Sequence, residues 1–179
     1  MANTYKMKIA GLERELSMFE VNDKLDIAAF ILFGDGEITI AAAKDLLAKV
    51  PEFDVILTPE AKSIPLAYEM ARQSGKPYVV ARKKLKVYMS DPISVSVESI
   101  TTKNVQQLHL GLAECDAIRG RRVLIVDDVI STGESLAAVR TLVGKAGGIE
   151  VAACAVLAEG DASTRDDIIF LEPLPLFFK

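Results

Sequence analysis

The segment Arg122–Ser135, reading RVLIVDDVISTGES, holds the residues of this sequence with the clearest capacity for chemistry. Val123–Val126 is a continuous aliphatic, β-branched-rich run, the pattern of a strand buried on both faces of a parallel sheet. Paired acids, Asp127 and Asp128, stand at its carboxyl end. A loop of small residues follows, Ser131, Thr132 and Gly133, with Glu134 and Ser135 leading into a helical pattern. In an open α/β sheet, ligands bind beyond the carboxyl ends of the strands. Hydroxyls, a glycine and free backbone N–H groups at a helix N-terminus make an anion cradle suited to a phosphate. Adjacent carboxylates accept hydrogen bonds from a vicinal diol or hold a hydrated divalent cation. Ser131 or Ser135 could serve as simple helix caps, but capping does not call for paired acids on a buried strand. The spacing is neither that of a Walker loop nor that of a dinucleotide fingerprint.

Two further stretches carry polar side chains at strand ends. Thr58-Pro59-Glu60-Ala61-Lys62-Ser63 joins a short strand, Val55–Leu57, to a helix over Ile64–Ser74. Arg82–Pro92 holds Arg82, Lys83, Lys84 and Lys86 without clean periodicity and reads as a loop; such a run is ordinarily a solvated face. His109, the single histidine, sits in the apolar stretch Gln107–Leu110, where a structural role is the expectation. With one histidine and two cysteines, a His/Cys metal cluster is not available. No nucleophile motif accompanies His109, Cys115 or Cys154, and both cysteines read as small buried hydrophobes.

The elements that must position these groups alternate along the chain. Tyr5–Ile9, a turn at Gly11 and Glu15–Val21 predict a small antiparallel hairpin outside the main sheet. A helix is expected over Ile38–Val50, stopping before Pro51. Tyr78–Ala81 reads as a strand after a helix stop at Gly75. Val95–Ser99 and Gln107–Leu110 read as strands joined by Thr101–Val105. Ser135–Lys145 reads as a helix closed by Gly147–Gly148, and Val151–Leu157 as the next strand. Strand–helix–strand repetition with short joints implies an α/β fold with a mainly parallel twisted sheet flanked by helices.

Composition bounds the function. The 179 residues are 50% apolar and carry 21 basic against 25 acidic side chains, a net charge of −4. Half the chain being apolar argues for a real core and against global disorder. The mild acidity argues against a protein that holds nucleic acid by bulk charge. No apolar run is long enough to span a bilayer, and Met1–Gly11 lacks the apolar stretch of a secretory leader. Two cysteines suit a reducing compartment, so a soluble cytoplasmic chain is expected, as one domain with residues 1–50 forming a cover and first helix and 51–179 the core.

Strand, two acids, two apolar residues and S-T-G-E-S together resemble the phosphoribosyl pyrophosphate motif of type I phosphoribosyltransferases. The resemblance implies that Asp127 and Asp128 take the ribose 2- and 3-hydroxyls, and that Ser131, Thr132, Gly133, Glu134 and Ser135 wrap the 5-phosphate. Thr58–Ser63 resembles the family's pyrophosphate loop, with the backbone N–H groups of Ala61, Lys62 and Ser63 toward the leaving group. Val79–Lys84 is similar to the segment that opens the family's mobile loop; there Arg82 and Lys83 would pair with pyrophosphate oxygens and Lys86 would close over them. The adenine/xanthine branch is the nearest likeness: the N-terminal hairpin resembles its base-covering hood, and Glu98 lies where adenine enzymes carry a glutamate near the purine. Tyr88–Pro92, reading YMSDP, departs from that pattern. The resemblance implies a purine phosphoribosyltransferase of purine salvage, adenine favoured, using Mg²⁺ held through water and substrate and by Asp127 and Asp128, in a homodimer without nucleic-acid or membrane partners. A donor-binding sensor without turnover and a pyrimidine-branch enzyme are the other readings of the same motif.

Overall fold

The computed structural model describes residues 3–97 and 106–179. Three antiparallel strands open the chain: β1 (Thr4–Ile9), β2 (Leu12–Asn22) and β3 (Leu25–Ala29). Helix α1 (Gly36–Leu47) leads to β4 (Val55–Pro59), α2 (Ile64–Ser74) and β5 (Tyr78–Ala81). A hairpin follows, β6 (Ile93–Val97) against β7 (Gln106–Leu110), then α3 (Leu112–Ile118). The second half runs β8 (Arg122–Ile130), α4 (Glu134–Ala146) and β9 (Ile149–Glu159). A 3₁₀ turn, Gly160–Thr164, leads to β10 (Ile169–Leu174) and β11 (Phe177–Phe178).

The main sheet has the order β10-β9-β8-β4-β5, and every pairing in it is parallel. Its central strand shows why the apolar run is unbroken. Val123 and Ile125 pack with Leu142 and Val143 of α4, while Leu124 and Val126 pack on the opposite face with Leu46 of α1 and Leu66 of α2. Alternate side chains of a strand point to opposite faces, so a strand covered on both sides needs apolar residues at every position. Each such aliphatic side chain contributes about 1.5–3 kcal/mol on burial, which fixes β8 and hence the acids in its carboxyl-terminal half.

The helix ends obey local chemistry. Asp35 caps α1, its Oδ1 accepting the Ile38 N–H at 3.2 Å, and Arg14 clamps the same carboxylate at 2.6 Å. The helix ends at Leu47, short of the expected Val50, although the Val50 N–H still turns back to the Leu46 carbonyl at 3.0 Å. Gly75 closes α2 with φ +70°, the left-handed stop expected there.

The cover is larger than the expected hairpin. It is a four-stranded sheet, β1-β2-β3-β11, whose last strand comes from the far end of the chain. Phe177 pairs with Asp26, and its ring meets Tyr5 edge-on at 5.0 Å. Among the described residues no helix is long and apolar enough to cross a membrane.

Candidate functional site

A cleft of about 390 Å³ opens at the carboxyl ends of β4 and β8 and the start of α4. It is lined from one side by Pro59–Ser63, from another by Asp127, Asp128 and Val129, and from a third by Thr132, Glu134 and Ser135. Lys83 and the β6–β7 residues Val97, Gln106 and Leu108 complete the wall. Segments separated by more than sixty residues in the chain thus face one space.

The acids form its floor. Strand β8 extends to Ile130, so both lie within the strand, Asp127 opposite Ala155 of β9. Asp128 is 4% exposed, and its Oδ2 is buried without a hydrogen bond, though Lys62 Nζ stands 3.3 Å away. Asp127 Oδ1 accepts the Asp128 backbone N–H at 2.9 Å. Burial first, and then the neighbouring Asp128 charge, push the Asp127 carboxyl well above the usual carboxylate range. The pair therefore holds a proton more readily than two isolated carboxylates would.

The turn after β4 is built by its own hydroxyls. Ser63 Oγ donates to the Pro59 carbonyl at 3.0 Å and accepts from Thr58 Oγ1 at 2.7 Å, all buried. Pro65 in the first turn of α2 then sets the helix going, and the Glu60–Ala61 peptide is cis. Ser63→Ala leaves the fully buried Thr58 hydroxyl without its acceptor, a loss of about 1–3 kcal/mol. The denaturant midpoint is expected to fall accordingly, with an unchanged m-value.

The basic segment leaves β5 at an anchored point. Arg82 and His109 exchange backbone hydrogen bonds at 2.9 and 2.8 Å. His109 is buried, its Nδ1 2.7 Å from Ser94 Oγ, so it serves the framework as the sequence suggests. Glu60 spans the cleft mouth: its Oε2 accepts the Lys83 N–H at 2.9 Å, and its Oε1 lies 3.9 Å from Arg82 Nη1. Arg82 Nη2 also donates to Tyr88 Oη at 3.1 Å, folding the loop back on its own start.

The loop before α4 is capped by Gly133 at φ +84°, with no side chain acting as a cap. This removes the simple reading of Ser131 or Ser135 as N-caps, and the Ser135 side of the first turn faces the cleft. The expected residues thus divide. Ala61, Lys62, Ser63, Lys83, Asp127, Asp128, Thr132, Glu134 and Ser135 share the cleft lining, whereas Ser131, Gly133, Arg82 and Lys86 stand outside it. Lys86 is half-buried in a turn closed by its carbonyl and the Met89 N–H at 3.0 Å. Glu98 lies outside the described residues, as does the expected Thr101–Val105 connection. Glu60 and Gln106 were not marked by any sequence pattern, though Glu60 stands inside the Thr58–Ser63 stretch.

Among the described residues no group of three or more His, Cys, Asp or Glu could hold a metal ion. Asp127 and Asp128, the latter with a buried Oδ2 that has no hydrogen bond, fit a Mg²⁺ that keeps most of its waters and shares a substrate's phosphates. They do not fit an all-protein metal cage.

The family model described as the phosphoribosyl transferase domain matches residues 34–172. An adenine phosphoribosyltransferase of Thermotoga neapolitana is 41% identical over 110 residues, 60% of this chain and 60% of that protein. A hypoxanthine/guanine phosphoribosyltransferase of Methanococcus voltae is 37% identical over 112 residues, 63% of this chain and 56% of that protein. The chain thus spans about 60% of the length of the curated relatives it matches. Among solved structures, adenine phosphoribosyltransferase from Thermoanaerobacter pseudethanolicus superposes with a TM-score of 0.67 at 25% identity, covering 79% of this chain and 84% of that one. The Giardia lamblia enzyme complexed with 9-deazaadenine shares the fold over 95% of this chain and 93% of its own, with a TM-score of 0.65 at 16% identity.

Proposed function

This chain belongs to the phosphoribosyl transferase domain family, and from that premise we propose that it moves ribose 5-phosphate from phosphoribosyl pyrophosphate to a purine nitrogen. The observation that carries the reading is the single cleft in which paired acids, a phosphate-type loop and a cationic turn meet. The Ser131–Ser135 loop takes the 5-phosphate through its N–H groups and hydroxyls. Asp127 and Asp128 accept hydrogen bonds from the ribose diol. The Ala61–Ser63 turn, with Lys62, Lys83 and Arg82, receives the pyrophosphate.

The reaction breaks the bond from ribose C1 to pyrophosphate and forms one from C1 to the purine nitrogen, which gives up its proton. Negative charge grows on the departing pyrophosphate while the ribose ring turns cationic, so fixed cations and N–H donors on the leaving group lower the barrier. Lys62 is poised for this: its ammonium rests beside Asp128 and is half exposed, free to shift to the pyrophosphate when the diol engages the acids. Mg²⁺, when bound with the donor, neutralises pyrophosphate charge, and Asp127 and Asp128 are the groups that would hold it through water. Closure of the Arg82–Pro92 loop, with Lys86, keeps water from the cationic ribose. Glu98 is assigned to the proton on the base.

Adenine is the favoured purine, supported by relatives named for adenine, among which a hypoxanthine/guanine enzyme also stands. Pyrophosphate release is measured with Mg²⁺ and the donor against adenine, hypoxanthine, guanine and xanthine in turn. Release with adenine above the other three is the expected result. Release with another base moves the specificity; donor binding without release removes turnover. Neither binding nor release overturns the reading of the cleft.

A further inference from the structure

The loop that is to hold the 5-phosphate has no cationic side chain of its own: from Asp127 to Val139 there is no lysine or arginine. Backbone N–H groups and the start of α4 supply part of what a phosphate needs. The fold brings one guanidinium to the same place from elsewhere. Arg165 follows the 3₁₀ turn after β9, and a β-carbon built on Gly133 would collide with its Nη1.

The remaining donors of that guanidinium are committed. Arg165 Nε and Nη2 donate to Asp167 Oδ1 and Oδ2, each at 2.8 Å, a bidentate pair that fixes the guanidinium plane and leaves Nη1 turned to the loop. Asp167 is held in turn by Arg140 Nη1 at 2.7 Å, and Arg140 Nε donates to Glu150 Oε1 at 2.9 Å. Arg140 lies on α4, which starts at the cradle, and Glu150 on β9, the neighbour of β8, so two elements anchor the guanidinium. Only a planar fork can be tied at two nitrogens and still present the third; a lysine cannot.

We infer that Arg165 is a binding residue for the donor's 5-phosphate, its Nη1 supplying the cationic donor that the Ser131–Ser135 loop lacks. The inference rests on the reading of the cleft given above. It makes Arg165 the group that separates ligands bearing a 5-phosphate from those without one, while the pyrophosphate end is served by other residues. Preorganisation by Asp167 means that little side-chain freedom is lost on binding.

Arg165→Gln and Arg165→Lys are compared with the wild type by calorimetry, using ribose 5-phosphate and inorganic pyrophosphate as separate probes. Arg165→Gln is expected to weaken ribose 5-phosphate by about 10- to 100-fold, the scale of one charge-assisted hydrogen bond, and to leave pyrophosphate unchanged. Arg165→Lys, which keeps the charge without the fork, falls between the two and serves as the test where the glutamine variant does not fold. Equal weakening of both probes marks a structural role and overturns the inference. Unchanged ribose 5-phosphate binding in the variants overturns the inference alone. If the wild type itself fails to bind ribose 5-phosphate, the reading of the cleft falls and the inference with it.

Discussion

Asp128→Asn is expected to remove almost all phosphoribosyl transfer and at the same time to raise the melting temperature. The two effects have one origin. Asp128 is buried beside Asp127, and its Oδ2 has no hydrogen bond, so the fold carries the cost of a desolvated carboxylate and, once Asp127 ionises, the repulsion between the two. Neutralising one relieves that cost. Lys62 loses its partner but is about half exposed, and its ammonium returns to water. The ribose diol meanwhile loses a charged acceptor, worth about 1.5–3 kcal/mol, or roughly 10- to 150-fold in donor affinity alone. The pH dependence has a definite sign. Asp127 has its carboxyl raised above its unfolded value by burial and by Asp128. The folded chain therefore keeps a proton that the unfolded chain has released, and stability falls as pH rises from about 4 toward the raised value. D128N removes the second cause and leaves the first, so its decline is shallower. Melting curves across that range, with pyrophosphate release on the same samples, check both claims. Retained turnover, or a lower melting temperature across the whole range, would contradict them.

Much of this site was legible because its signals are local. The unbroken run Val123–Val126, β-branched-rich, has the pattern of a strand covered on both faces, and the acids after it then fall toward the sheet's carboxyl end. Gly75 after Ile64–Ser74 marked the end of α2 for reasons confined to a few residues. What was not legible depends on pairings distant in the chain. β11 is two residues long, and nothing in Phe177–Phe178 says that it will pair with Leu25–Asp26. The cover was therefore expected as a hairpin and is a four-stranded sheet. Glu60 carries no sequence signal of its own within the Thr58–Ser63 stretch; its contact with the Lys83 N–H exists only because β4 and β5 are parallel neighbours whose following loops lie together. Arg165 sits in a polar stretch with no periodicity, and its approach to Gly133 follows from the packing of β9 against α4 and from the 3₁₀ turn that continues β9. Sequence patterns report which residues must be covered, whereas contacts between loops follow from the topology that covers them.

Gly133→Ala follows from that same approach and is the substitution expected to damage donor binding most for the least added volume. Gly133 has φ +84°, where an L-residue pays about 1–2 kcal/mol. The new methyl also meets Arg165 Nη1 directly, so the guanidinium moves aside at the expense of its exposed bidentate pair with Asp167 and leaves the loop. The loop escapes the backbone strain by rotating the peptides around residue 133. That rotation turns the cradle's N–H groups away from a bound phosphate, several donors at once. Ribose 5-phosphate affinity is therefore expected to drop by 100-fold or more, on the order of two charge-assisted hydrogen bonds. The double substitution Gly133→Ala with Arg165→Ala separates the two causes. It removes the collision and leaves the backbone strain, so the urea midpoint recovers in part while affinity does not. Calorimetry with ribose 5-phosphate reads the affinity arm. A single Gly133→Ala chain that binds as the wild type does would show that the loop holds its ligand without the geometry described.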